Sequence, residues 1–309
     1  LTDFKQFSSV SAFAQWPQKI AESDDAIRLF HGRGQCFSGF EYFTVDYFAP
    51  VLWVVLYREP EAEFWAEFCS QLTTHLASSV GVAAVQHRYQ RDAELDLLWG
   101  ELPERPVAKE HNLVFQLQFG GRQNIGYFMD MQPARQWLRP RSKGKRILNL
   151  FSYTCAFSVA AAAEGAERVV NVDMSKSALR TGRVNHQLSG LEFTDTEVVY
   201  LGHDIFRSWG RIKKMGPYDL VICDPPSRQA GSFEVRKDYP RLLRKMPELL
   251  AEGGEALICL NAPYLDTDFL QEMVAEHWPE GQFIERLPGR KDFPESDAAA
   301  SLKVLSYKA

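Results

Sequence analysis

A chain of 309 residues with 45% hydrophobic and 24% charged residues has the make-up of a soluble globular protein, and its length suits one large domain or two ordinary ones. No apolar run approaches the roughly 20 residues of a membrane span, and no signal peptide is visible, although the chain begins at Leu1 without a Met. The five cysteines are odd in number, widely spaced and lack a C-x-x-C pair, which argues against a disulfide framework or a zinc site and fits a reducing cytoplasm.

The formal net charge of −5 does not advertise a nucleic-acid binder, yet the charge is unevenly spread. Residues 1–110 are rich in Asp and Glu, whereas Arg135, Arg139, Arg141, Lys143, Lys145 and Arg146 follow one another without an acid between them. Further basic groups stand at Arg207, Arg211, Lys213 and Lys214, and at Arg236, Lys237, Arg241, Arg244 and Lys245. A basic face on an acidic protein can still meet phosphate.

In chain order, Arg28–Phe30, Glu41–Asp46 and Pro50–Leu56 read as strands, and Glu61–Ser79 as an amphipathic helix. Leu113–Phe119 and the stretch around Tyr127 read as further strands. These make an α+β domain over 1–138, separated from the remainder by the basic, Pro/Gly-containing linker Arg139–Lys145. From Arg146 the grammar changes. Strands are expected at Arg146–Phe151, Arg168–Asp173, Glu197–Leu201, Tyr218–Asp224 and Glu255–Asn261. Helices are expected at Phe157–Glu164, after an N-cap at Ser175, and over Tyr239–Glu252, closed by Gly253-Gly254. Such alternation predicts an α/β domain over 139–309 with a mostly parallel, Rossmann-like sheet. Gln282–Leu287 and Leu302–Tyr307 should form an antiparallel closing pair.

The run Tyr218–Asp224 followed by Pro225 and Pro226 is the strongest local signal. Proline lacks the N–H that a ladder needs, so the strand must stop and Asp224 must stand on a stiff loop at its carboxyl end, where open α/β sheets place ligands. The first strand runs into Asn149-Leu150-Phe151-Ser152-Tyr153-Thr154, the second into Asp173-Met174-Ser175 and the third into Gly202-His203-Asp204. Asp173 follows the first loop by about twenty residues, the separation that lets an acid reach a ribose held over the first strand. Without G-x-G-x-x-G or a Walker lysine, an adenosine-like moiety is expected rather than a dinucleotide or a triphosphate.

These three strand ends with Asp-Pro-Pro-Ser resemble the class I S-adenosylmethionine-dependent methyltransferases, and more narrowly the bacterial 23S rRNA methyltransferases acting on cytosine C5 or guanine N7. Gly126-Tyr127-Phe128-Met129-Asp130 with Gln132 and Arg135, Arg28-Leu29-Phe30-His31-Gly32, Thr44-Val45-Asp46 and Arg236-Lys237-Asp238-Tyr239 are similar to further signatures of that group. The likeness covers the chain from about residue 28, and the PUA-type domain of some relatives has no counterpart. It implies S-adenosyl-L-methionine as cofactor, RNA, and large-subunit rRNA in particular, as partner, a cytoplasmic location, no metal and no membrane, with the oligomeric state open.

By the same resemblance, Asp173 would take the ribose hydroxyls, with Met174 and Ser175 beside it, and Asp204 would sit at the adenine amino group. Asn149, Phe151, Ser152, Tyr153 and Thr154 would line the first loop towards the methionine side. Phe128, Asp130 and Arg135, within a closing segment 122–138, would cover that end, while Asp224, Pro225, Pro226 and Asn261 would face the transferring methyl. Relatives usually carry glycine where this chain has Cys155 and Ala156, which puts affinity for the cofactor in question. Cytosine C5 requires a cysteine nucleophile after the fifth strand, a place held here by Asn261; guanine N7 has its own lone pair and is favoured. A methyltransferase for protein or a small molecule on the same fold, or a binding module without turnover, are the alternatives.

Overall fold

The computed structural model describes residues 3–120, 124–191, 194–229 and 233–309. The chain divides into two compact units. The first is Leu1–Met129 with Arg290–Asp297, and the second is Asp130–Gly289 with Ala298–Ala309. The division therefore falls at Met129 rather than at the expected linker after 138. The reason is packing: Met131, Ala134 and Leu138 share a core with Ile147, Phe157 and Val169 of the second unit. Of the closing segment, 122 and 123 lie outside the described residues.

The first unit opens with two short helices, α1 (Phe4–Val10) and α2 (Trp16–Glu22), that sequence periodicity does not reveal. Their anchors are aromatic: the Phe7 ring lies within 5.5 Å of Phe30, Phe40, Phe43 and Phe68. The sheet has the order β1 (Ile27–His31), β2 (Phe43–Phe48), β3 (Val51–Leu56), β4 (Val82–His87), β5 (Leu95–Trp99). All neighbours are antiparallel except β3 and β4, which are parallel and joined by α3 (Ala62–Leu76). Helix α3 buries Phe64, Phe68, Leu72 and Leu76, a strict four-residue stripe. A hairpin of β6 (Val107–Glu110) and β7 (Leu113–Gln116) follows. The segment around Tyr127 is not a strand: its ring stacks on Phe115 and its hydroxyl donates to Glu110 Oε2 at 2.6 Å, so burial there comes from side chains rather than from a ladder.

In the second unit α4 (Gln132–Leu138) precedes β8 (Arg146–Leu150), α5 (Ala156–Ala163), β9 (Arg168–Val172), α6 (Lys176–Leu188), β10 (Glu197–Leu201), α7 (Trp209–Lys214) and β11 (Tyr218–Cys223). A small β12 (Arg228–Gln229) and β13 (Phe233–Glu234) pair leads into α8 (Val235–Leu243), α9 (Met246–Leu249), β14 (Leu250–Leu260), α10 (Thr267–His277), β15 (Gln282–Arg286) and β16 (Lys303–Lys308). The sheet order is β10-β9-β8-β11-β14-β16-β15, and only β16 runs antiparallel to its neighbours. The expected Rossmann-like sheet with one antiparallel strand near the C-terminus is thus what forms. One element differs. The expected helix to Glu252 stops at Leu249, and β14 begins at Leu250 with an irregular register against β11, because Gly253 at φ +69° lets the strand bulge there. Cores fill both faces of the sheet: α4 and α5 cover one, α7, α8 and α10 the other.

Candidate functional site

Five parallel strands end on one edge of this sheet, and each end carries a polar group. After β8 the chain turns through Phe151, Tyr153 and Cys155, three non-glycine residues at φ +56°, +46° and +62°. Left-handed backbone of this kind costs on the order of 1 kcal/mol or more per residue, so the turn must be held from outside. It is. Ser152 N–H donates to Val172 O, and Tyr153 N–H to Asp173 Oδ2 at 2.8 Å; Asn185 Nδ2 donates to Thr154 O at 2.9 Å.

Cys155 and Ala156 replace the usual glycines without loss of the turn. Cys155 is buried at the N-cap of α5, and the space its thiol fills is space that Gly182 of α6 vacates: a Cβ on Gly182 would meet Cys155 Sγ at 2.5 Å. Burial pushes the Cys155 thiol well above its ordinary pKa, so it is packing rather than a nucleophile.

Asp173, at the tip of β9, binds that turn and the next helix together. Its Oδ1 accepts from Ser175 N–H at 2.7 Å while Oδ2 holds Tyr153. Burial raises its pKa against the opposing pull of these two backbone donors. Two acceptors used of about four leave lone pairs for hydroxyl donors. Met174 beside it is 54% exposed, and Ser175 caps α6 by accepting from Ala178 N–H. Asp204, after β10, accepts from Phe206 N–H and pairs with Arg207.

Asn149 does not turn its side chain to this edge. Its amide donates to Asn171 Oδ1 at 2.9 Å, Asn171 donates to Ser158 Oγ, and Ser158 meets His186 Nε2 at 3.0 Å. The chain of buried polar groups ties β8 and β9 to α5 and α6, and burial lowers the pKa of His186 against the opposing pull of its hydrogen bonds to Gly182 O and Ser158. A lone Asn in the otherwise apolar run 169–172 of β9 was the available signal for it.

At the end of β11, Asp224 is half-buried, with Pro225 buried and Pro226 half-buried after it. Burial and then the carboxylate of Asp130 push its pKa up to about 7, against the attraction of the Arg135 guanidinium. Asp130 and Arg135 thus stand with Asp224 as one electrostatic cluster, and Arg135 is itself 1% exposed. Phe128 belongs to the first unit, where it is 41% exposed. Tyr239, unnoticed as a site residue in the sequence, is fully buried in α8 and donates its hydroxyl to Cys259 O at 2.6 Å, with Cys223 O at 3.5 Å. It braces the last residues of β11 and β14 against each other just below Asp224 and Asn261. Asn261 is exposed; Cys223 and Cys259 are wholly buried, and burial drives both thiols far from ionisation.

Among the described residues no group of three or more His, Cys, Asp or Glu could hold a metal ion, and no helix is long and apolar enough to cross a membrane.

A seven-stranded sheet with one antiparallel strand next to its edge, an acid after the second strand and an Asp-Pro-Pro after the fourth, defines a Rossmann-like methyltransferase fold. A family model described as S-adenosylmethionine-dependent methyltransferase matches residues 27–308, and the chain belongs to that family. It is 28% identical over 265 residues to ribosomal RNA large subunit methyltransferase I of Aeromonas salmonicida, covering 81% of this chain and 66% of that protein. It is 34% identical over 167 residues to ribosomal RNA large subunit methyltransferase K/L of a Psychrobacter species, covering 52% of this chain and 20% of that protein. The chain thus spans just under two thirds of the length of the first of these curated relatives. Among solved structures, SMU.776, described as a methyltransferase and crystallised with SAH, superposes with a TM-score of 0.82 at 25% identity, over 99% of this chain and 80% of that one.

The residues present fit the family's cofactor. Asp173 retains acceptors for ribose hydroxyls, and Arg135 with Asp130 and Asp224 offers both charge signs to an amino acid's carboxylate and ammonium.

Proposed function

We propose that this chain is an S-adenosylmethionine-dependent RNA methyltransferase of the cytoplasm whose target is a base of large-subunit rRNA, with guanine N7 favoured over cytosine C5. The relatives named for ribosomal RNA support the substrate class. The observation that carries the choice of atom is the state of the thiols. C5 attack needs a thiolate to add to the ring, and the two cysteines nearest the site are buried and held far from ionisation. Where a cysteine would be needed, the chain presents Asn261.

In this reading Asp173 holds the ribose, Asp204 and Met174 flank the adenine, and Phe151, Ser152, Tyr153 and Thr154 form the floor beside the methionine portion. Arg135 and Asp130 grip the amino-acid end. When bound, S-adenosylmethionine supplies an electrophilic methyl group. Asp224 and Asn261 orient the guanine so that the N7 lone pair is in line with that methyl. Pro225 and Pro226 keep the carboxylate fixed. The alternatives of a protein or small-molecule substrate rest on fold alone. A lapse to a binding module is disfavoured by the room that Gly182 gives Cys155.

The test is transfer of labelled methyl groups to rRNA from a strain lacking the protein, followed by nucleoside analysis. Label in 7-methylguanosine is expected. Label in 5-methylcytidine would reverse the choice of atom, and no label in any RNA would remove the substrate class.

A further inference from the structure

Helices α7 and α8 lie on the same face of the second unit's sheet. Ile212 from α7 and Tyr239, Leu242 and Leu243 from α8 enter one core. The sides turned to solvent are basic. Between His203 and Lys214 the chain has Arg207, Arg211, Lys213 and Lys214 against Asp204 alone; between Val235 and Lys245 it has five cations against Asp238 alone. This concentration occurs in a chain whose formal net charge is −5.

Three of the acids bordering the surface are engaged, while Glu234 at the N-cap of α8 is exposed. Asp204 pairs with Arg207, Asp238 with Arg241, and Glu248 is shared by Lys213 and Lys245. Lys214 and Lys237 are exposed and form no ion pair among the described residues. Arg241 lies 4.0 Å over the Phe206 ring, which joins α8 to the turn after β10 and makes one surface of the two segments. The surface starts at the carboxyl edge, where Asp204 and Asp224 stand, and runs away from it along both helices.

Such a surface suits a polyanion better than a protein or a lipid. None of the exposed large apolar side chains among the described residues lies on α7 or α8, so neither an apolar anchor for a bilayer nor a hot spot for a protein partner is offered. Spaced cations on a firm helical platform match phosphates strung along a chain.

We propose that the outer face of α7 and α8 binds the ribose-phosphate backbone of the RNA whose base enters the site; this rests on the RNA reading above. None of Arg211, Lys214 and Lys237 belongs to the cofactor site. The triple variant Arg211→Glu/Lys214→Glu/Lys237→Glu should therefore keep its affinity for S-adenosylmethionine in calorimetry and its thermal midpoint. Its affinity for polyuridylate in about 0.1 M KCl should fall by about tenfold to a hundredfold, and the slope of log affinity against log salt should become shallower by about two. The milder Lys214→Gln/Lys237→Gln variant guards against a folding artefact and should show a smaller change in the same direction. Wild-type affinity and slope in both variants would overturn the surface and leave the RNA reading intact. A wild-type chain that binds no RNA, including one that binds anionic vesicles instead, would overturn both.

Discussion

Cys155 sits in left-handed backbone where glycine is the easier residue, and its thiol is housed by the missing side chain of Gly182, 27 positions later. The pair should behave as a unit. Gly182→Ala drives a methyl into Sγ and should destabilise by about 1–3 kcal/mol in urea unfolding, while Cys155→Gly/Gly182→Ala should recover much of that loss. Additive costs in the double-mutant cycle would refute the compensation. At the tip of β9, Asp173→Ala removes an acceptor from two backbone N–H groups and from the proposed ribose. Calorimetry should show S-adenosylmethionine binding at least about tenfold weaker, consistent with about 1.5–3 kcal/mol for charge-assisted hydrogen bonds; undiminished affinity contradicts the role. For the buried thiol, Cys259→Ala should leave methyl transfer nearly intact, and loss of transfer would revive C5 chemistry. Asp224 carries a pH signature. Its folded pKa, about 7, lies above the ordinary 3.8, so the folded protein favours the protonated acid. The stabilisation is complete below about pH 4 and lost as pH rises through about 7. Asp224→Asn should therefore match the wild type at pH 4 and exceed it at pH 8, by on the order of 4 kcal/mol at most. Unfolding curves at the two pH values decide it, and a difference that does not grow with pH rejects the assignment.

At the scale of elements, α8 holds the site together from beneath. Its Tyr239 hydroxyl reaches carbonyls at the ends of both β11 and β14, the strands that present Asp224 and Asn261. Tyr239→Phe keeps the ring and its packing and should cost about 1–2 kcal/mol of stability. If the brace also sets the two loops, kcat falls while cofactor affinity stays; equal kcat in the phenylalanine variant shows the bond to be structural only. The long strands of the second unit are legible in the sequence as short apolar runs, three of them stopped by Asp173, Gly202 and Asp224-Pro225. Helix α8 was legible and its end was not: Leu249-Leu250-Ala251 continues a helical pattern, but pairing with β11 takes Leu250 into the sheet. In the first unit α1, α2, β4, β5 and β6 escaped notice. Seven-residue helices have no stability of their own, and α1 depends on aromatic partners far along the chain. Strand β5, with Asp96 and Leu97 exposed, shows no clean alternation.

Taken as a whole molecule, each unit has its own core, and the chain crosses between them more than once, since 290–297 belongs with the first unit. That return is specific. Arg28 N–H donates to Asp292, the Arg28 guanidinium lies 4.0 Å over Phe293 and forms a two-point pair with the buried Asp46, and Ser296 N–H donates to Gly34 O. The same guanidinium faces His31, whose pKa burial and this charge lower to about 3, so the ring is neutral at ordinary pH. What the sequence by itself determined was the order of the long strands in the second unit and three of its helices, its cofactor class and the residues at its strand ends, because these are local: hydrophobic period, strand-stopping residues and loop chemistry act over a few positions. What only the tertiary structure decided was the partner of each of those residues. Asn149 spends its amide on Asn171, Gly182 makes room for Cys155, Tyr239 joins two strand ends, and 290–297 packs with the first unit. Each depends on close packing between positions distant in the chain, which no local pattern encodes.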